Sequence, residues 1–155
     1  MYQIKLISEE EIIKFWSEHL WVGREDIKSH SSIVYNSQPF LYDLRYYKSK
    51  LSCIGIYDDD KLIGVNSGFK TDDKYRSRGL FVLEEYRGEG FGVALLEATI
   101  KIAKYEGFDN VWSIPKKTAL KTYLSVGFQQ TSDYFKTDTS EANCYVALRR
   151  QKMDS

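Results

Sequence analysis

The sequence carries no surplus of either charge: 22 Lys and Arg balance 22 Asp and Glu over 155 residues, for a formal net charge of zero. A general polyanion-binding surface needs a basic excess, so nucleic acid is disfavoured as a partner, although local patches stay open. Cysteine is scarce. Cys53 and Cys144 are the only two, each inside a strand-like apolar run where a buried free thiol is the ordinary state, so a reduced cytoplasmic protein is expected. Long apolar runs are missing as well. Met1-Tyr2-Gln3-Ile4-Lys5-Leu6 alternates polar and apolar and runs into charges, giving no signal h-region, and no later run is long enough to span a bilayer. A soluble chain with no membrane association is the expectation. His19 and His30 have no Cys or carboxylate partners at ligand spacing, so neither is assigned to metal. Repeats and low-complexity segments are also lacking.

What is present fits one domain, residues 1–155, because 43% hydrophobic residues are enough to build a core at this length. Tyr2 to Ile7 alternates as an opening strand. Ser8 followed by Glu11 has the form of a capping box, and Ile12, Ile13, Phe15, Trp16 and Leu20 give the helix after it an apolar face. A second, shorter helix is expected within residues 25–36, and residues 39–50 show no clear period. Residues 51–57 and 62–69 read as a hairpin around Asp58-Asp59-Asp60-Lys61, and residues 75–83 as the next strand. A helix over residues 90–106, with Val93, Leu96, Ile100 and Ala103 at helical spacing, is closed by Gly107. Residues 109–114 read as a strand, and residues 118–126 as a helix after Pro115, closed by Gly127. Residues 128–136 and 143–149 complete the chain as two strands.

Leu80-Phe81-Val82-Leu83-Glu84-Glu85-Tyr86-Arg87-Gly88-Glu89-Gly90-Phe91-Gly92 joins a strand through glycines to that central helix. Helix N-terminal N–H groups lack partners and the macrodipole is positive there, so such a junction suits an anion, to which Arg87 adds fixed charge. A P-loop would place Lys and then Ser or Thr after its last glycine, whereas Val93, Ala94 and Leu95 follow Gly92. A dinucleotide fold would carry its glycines after the first strand of the chain, and these lie past the middle.

The spacing R-x-x-G-x-G after L-x-V resembles the coenzyme A loop of the GNAT superfamily of N-acyltransferases. A second stretch, A-x-x-x-Y-x-x-x-G-F at Ala119, Tyr123, Gly127 and Phe128, resembles that family's helix after its fifth strand. The order β α α β β β α β α β β matches the family along nearly the whole chain. The resemblance implies an α/β (α+β) fold: a mixed, mostly antiparallel sheet of about seven strands, flanked by four helices and splayed between strands four and five. It implies an acetyltransferase moving an acetyl group from acetyl-CoA to a primary amine by direct attack, without metal. Phe81 and Val82 would contact pantetheine through the backbone. Arg87, Gly88, Gly90, Phe91 and Gly92 would hold the phosphates, Gly92 serving equally to let the helix pack closely. Tyr123 takes the position of the acid that protonates the departing thiolate, and the Val82 N–H that of the oxyanion donor.

Two departures from the family pattern stand out. A lysine-like amine at pH 7 costs roughly 4.6 kcal/mol to deprotonate. Many relatives place a glutamate on strand four for this, where the present chain reads Tyr75-Arg76-Ser77-Arg78-Gly79-Leu80. Glu141, in the loop between the last two strands, is a substitute base and Asp133 a weaker one; either is otherwise a solvated surface acid. Where relatives often carry an asparagine that touches the cofactor, this chain has Lys116, whose charge is unfavourable at a helix start unless an anion is nearby. By the resemblance, the acceptor would meet Trp21, Arg24 and Tyr35, and it is a small-molecule or protein amine. A homodimer is common in the family. The competing reading is a regulatory or interaction module that keeps acyl-CoA as ligand without chemistry.

Overall fold

The computed structural model describes residues 1–22, 34–35, 38–42, 51–137 and 140–149, with the side chains of 34–35, 38–42, 137 and 140–141 left aside. The strands are β1 (Tyr2–Leu6), β2 (Val34–Tyr35), β3 (Gln38–Tyr42), β4 (Ser52–Asp58), β5 (Lys61–Thr71), β6 (Lys74–Val82), β7 (Asn110–Ser113), β8 (Gln129–Gln130), β9 (Phe135–Thr137), β10 (Ser140–Asn143) and β11 (Val146–Arg149). The helices are α1 (Glu9–His19), α2 (Phe91–Tyr105) and α3 (Lys117–Val126). Seven strands form one sheet in the order β1-β4-β5-β6-β7-β11-β8, and β2–β3 and β9–β10 are separate pairs. All neighbours in the large sheet run antiparallel except β6 and β7. No helix among the described residues is long and apolar enough to cross a membrane.

Neighbouring residues of a strand face opposite sides of the sheet, which places the helices. Arg78 lies under Trp16 of α1, whereas Ser77 bonds to Tyr123 of α3 and shares Asn66 with Thr99 of α2. Thus α1 covers one face and α2 and α3 the other. One core cluster gathers Ile12, Phe15 and Trp16 with Ile54, Ile56, Ile63 and Val65; a second gathers Leu96, Ile100, Val111, Leu120, Tyr123 and Phe128. Each fully buried aliphatic side chain contributes about 1.5–3 kcal/mol.

The register breaks between Val65 and Ser67 on β5, opposite Gly79 of β6. Gly79 has φ +81°, a Cβ there would come within 2.4 Å of Trp16, and its carbonyl accepts the Trp16 indole N–H at 2.9 Å. Only glycine meets both demands, so α1 and the bulge fix one another.

Three expectations need correction. Three helices are found among the described residues where four were expected; of the expected second helix, residues 25–33 and 36 lie outside the described residues, and Val34–Tyr35 pairs instead with Gln38–Tyr42. Val and Tyr favour an extended backbone, and the tertiary pairing settles the conformation. The single strand expected over 128–136 is interrupted. Gln130 Nε2 donates to Ser132 O at 2.8 Å and Ser132 Oγ to Asp133 O at 2.9 Å, while Ser132 Oγ accepts from Tyr145 N at 2.8 Å. These local bonds compete with the ladder, leaving β8 and β9 as separate pieces. Finally, β10 begins at Ser140, where a loop was expected.

Candidate active site

The parallel pairing of β6 and β7 consists of Tyr75↔Val111 and Arg76↔Trp112 and stops there. Residues 77–82 continue along β5 with their other edge open, which is the expected splay. Leu83 N–H donates across to Ile63 O at 2.9 Å. By the alternation of an antiparallel ladder, Val82 therefore turns its N–H and carbonyl to the open edge. Its carbonyl accepts from Arg87 Nε at 2.9 Å, and the Arg87 guanidinium lies 5.0 Å from the centre of the Phe81 ring.

Beyond Val82, a 3-10 turn at Glu84–Tyr86 leads to Gly88 and Gly90, both with positive φ, and a Cβ at either would meet nothing within 4 Å. Gly90 is the N-cap of α2, with φ 86°, no side-chain cap bond and no acidic residue in the first turn. Backbone donors and the positive dipole end are thus presented with neither a capping side chain nor an acid in the first turn. Gly92 does different work: a Cβ there would come within 3.2 Å of Thr122 Cγ2, so its smallness admits α3. Phe91 packs 4.6 Å from Tyr2, ring centre to ring centre. The N-terminus of α3 is likewise uncapped, with Lys116 at its N-cap and Lys117 following.

Where β6 and β7 part, a polar cluster closes the apex. Tyr123, Ser77, Ser113, Asn66 and Thr99 are all buried. Tyr123 Oη lies 2.9 Å from Ser77 Oγ and 3.1 Å from Ser113 Oγ. Ser113 Oγ also donates to Ser77 O at 2.6 Å, tying β7 to β6. Asn66 Nδ2 donates to Ser77 Oγ at 2.9 Å and to Thr99 Oγ1 at 2.8 Å. Burial pushes the Tyr123 phenol up, against hydrogen bonds from Ser113 and Ser77 and the charge of Arg76, which favour the phenolate. The hydroxyl therefore keeps its proton through neutral pH.

On the α1 face the two arginines of β6 are buried among rings. Arg78 stands 4.4 Å from the centre of Trp21 and 5.2 Å from that of Trp16; Arg76 stands 5.1 Å from Trp112 and 5.9 Å from Phe69. Cation–π contact answers part of the cost of burying each guanidinium. Nearby, a cleft of about 410 Å³ is lined by His19, Lys61, Leu62, Phe81, Leu83, Glu84, Glu85 and Arg87.

The loop residues Phe81, Val82, Arg87, Gly88, Gly90, Phe91 and Gly92 thus converge on the open edge and the start of α2. Lys116 lies at the start of α3 and bridges to Asn143 of β10. Tyr123 reaches the apex from the middle of α3. Trp21 sits over Arg78, its ring 5.0 Å from that of Trp16. Arg24 lies outside the described residues, and Tyr35 and Glu141 are placed by backbone alone, on β2 and β10. Asp133 is exposed. Sequence reasoning missed Ser77, Ser113 and His19. Strand alternation would have put Ser77 on the α2 side, but nothing local marks the two serines as partners across a non-consecutive strand pair. His19 stacks on Phe81, ring centres 6.4 Å apart, a contact between distant segments.

Comparison with known proteins agrees with this architecture. A family model described as an acetyltransferase (GNAT) domain matches residues 49–130, more than half of the chain. The chain belongs to the GNAT acetyltransferase family. It is 30% identical over 105 residues to N-acetyltransferase family 8 member 3 of Rattus norvegicus, a match covering 61% of this chain and 46% of that protein. The match therefore spans about half the length of that curated relative. Among solved structures, the fold is similar to an IAA acetyltransferase from Bacillus cereus, with TM-score 0.72, 16% identity, and 97% and 100% of the two chains covered. It is also similar to the ribosomal-protein-S18-alanine N-acetyltransferase from Escherichia coli, with TM-score 0.68, 16% identity, and 100% and 99% covered.

Proposed function

We propose that this chain is an N-acetyltransferase that moves an acetyl group from acetyl-CoA to a primary amine by direct attack. The observation that carries the reading is the junction of β6 and α2: an open strand edge ending in a glycine loop with empty space at both Cβ positions and an uncapped helix start. A pyrophosphate fits such a cradle. The backbone of Phe81 and Val82 would hold pantetheine; Arg87, Gly88, Gly90, Phe91 and Gly92 would hold the phosphates, with Lys116 as a further cation. Acetyl-CoA, when bound, supplies an activated thioester. The Val82 N–H faces the open edge as a donor for negative charge on a carbonyl oxygen, a contact of a kind worth about 2.7–4 kcal/mol in rate. Tyr123 Oη holds a proton for the departing sulfur. Glu141 is the proposed base, on the β10 strand whose Asn143 bridges to Lys116. Trp21, Arg24 and Tyr35 are the proposed acceptor contacts. A cytoplasmic location accords with the two free, buried thiols, Cys53 and Cys144.

One observation favours a second reading. The family's strand-four acid has no counterpart on β6, where Arg76 and Arg78 are buried among aromatic rings, as in a module that binds acyl-CoA without turning it over. Incubation with acetyl-CoA and an amine panel, with free CoA thiol measured, separates the two. Release of CoA with at least one amine, abolished in Glu141→Gln at neutral pH, is the expected result. Silence across the panel despite tight acetyl-CoA binding would turn the assignment to the binding module.

A further inference from the structure

The apex cluster has more hydroxyl acceptors than protons to satisfy them, and the arrangement is specific. Ser77 has one hydroxyl proton and two oxygens within reach, Asn66 Oδ1 at 3.3 Å and Tyr123 Oη at 2.9 Å. Ser113 also has one, with Ser77 O at 2.6 Å and Tyr123 Oη at 3.1 Å. Each serine thus has one acceptor that belongs to the frame of the sheet and one that is the Tyr123 oxygen. Asn66 is fully buried and bonded to Ser77 and Thr99, whose own hydroxyl donates to Leu95 O at 3.0 Å, so the frame side is itself hydrogen-bonded. At rest every proton has an acceptor, with Ser77 donating to Asn66 Oδ1, Ser113 to Ser77 O and the Tyr123 hydroxyl directed to Ser77 Oγ, and the same two serines can instead donate to Tyr123 Oη.

We propose that Ser77 and Ser113 are positioning residues for proton donation by Tyr123: each turns its hydroxyl from a frame acceptor to Tyr123 Oη as that oxygen gives up its proton. The proposal rests on the reading of Tyr123 as the acid. In the step, the Tyr123 O–H bond breaks and an S–H bond forms at the departing coenzyme sulfur. The resulting phenolate receives hydrogen bonds from Ser77 and Ser113, and it regains a proton from water once the product has left. The proton lost by the amine passes to the base and solvent, so charge balances over the cycle. A phenolate buried without donors would be prohibitively costly, and two donors already within bonding distance need only a hydroxyl rotation to reach it. Among the described residues, the one charged group acting on Tyr123 is Arg76 of β6; its other neighbours, Ser77, Ser113 and Phe128, are uncharged.

The test uses full-length protein grown with 3-fluorotyrosine, whose phenol titrates lower, and follows the Tyr123 resonance by fluorine-19 NMR. Tyr123→Phe assigns that resonance by its loss. In Ser77→Ala and, independently, Ser113→Ala, the Tyr123 titration is expected to move up by about one to two pH units, the worth of one hydrogen bond to the charged form. Steady-state kinetics should show kcat lowered about three- to tenfold, with KM for acetyl-CoA within about twofold. An unchanged Tyr123 titration in both serine variants overturns the proposal. So does a shifted titration with unchanged kcat, because the serines would then hold the ring without serving the chemistry. The titration reads the serines without turnover, whereas full activity of Tyr123→Phe would refute the acid reading itself, so the two failures are told apart. Two variants on different strands guard against one that fails to fold, and thermal melts identify it.

Discussion

α1 and α2 begin in opposite ways. Ser8 caps α1 by accepting from Glu11 N at 3.0 Å, Glu11 answers toward Ser8 N, and Glu9, Glu10 and Glu11 place three carboxylates in the first turn. α2 begins at a left-handed glycine, with no cap bond and no acid in its first turn. The chain places its own anions in the first turn of α1 and none in the first turn of α2, which begins at the glycine loop. A helix start left uncapped, beside glycines with open space, marks a place for a ligand's charge; one filled by side chains serves stability.

The largest effect should come from filling the empty end. Gly90→Asp puts a carboxylate where phosphate would lie, at a left-handed position that Asp tolerates better than most residues. Acetyl-CoA affinity by calorimetry should fall about a hundredfold or more, equivalent to about 2.7 kcal/mol, with the fold kept and the melting temperature lowered by only a few degrees for the left-handed backbone. Tyr123→Phe comes next: kcat for acetyl transfer should fall about a hundredfold, as for loss of a general acid, with acetyl-CoA binding kept. Arg87→Ala removes one charged donor from the loop, and its expected cost is roughly tenfold in affinity. The smallest effect belongs to the self-capped helix. Ser8→Ala should lower stability by about 1 kcal/mol, roughly 2–4 °C, and leave acetyl-CoA binding untouched. A binding loss in Ser8→Ala equal to that in Gly90→Asp would erase the distinction between the two helix starts.

Alkaline pH probes the buried side of the same comparison. Burial pushes the Cys53 thiol from 9.0 to about 12 and the Tyr75 phenol from 10.0 to about 12. Both groups are held protonated in the fold above their unfolded pKa, so the folded state binds more protons between those values and stability falls as pH rises. Melting temperature should therefore be level up to about pH 9 and drop steadily toward pH 12. A level profile across that interval would show these groups to be solvated.

Much of this was legible in the sequence because the signals were local. The capping box at Ser8 and Glu11, the ends of α2 and α3 at Gly107 and Gly127, and the glycine loop each lie within a few residues. The splay was foreseen only through the family resemblance, since nothing in β6 or β7 alone says where their pairing ends. The interrupted strand after Phe128 was missed because Ser132 bonds a backbone N–H thirteen residues away, at Tyr145. The serine pair was missed for the same reason: Ser77 and Ser113 meet across the one parallel pairing of the sheet, joined by a helical crossover. The arginines of β6 were seen as a departure, but their burial among Trp16, Trp21 and Trp112 needed the tertiary structure.

The central claim is that the β6–α2 junction is built for the phosphates of an acyl-CoA. It is tested most directly by thermal melts with acetyl-CoA, CoA, ATP and NAD in separate samples. A ligand at about a hundred times its Kd should add about 2.7 kcal/mol, or roughly 5–10 °C for a chain of this size. The account predicts that rise with acetyl-CoA and CoA, absent with ATP and NAD and absent in Gly90→Asp. No rise with either CoA compound, or an equal rise with all four, would contradict it.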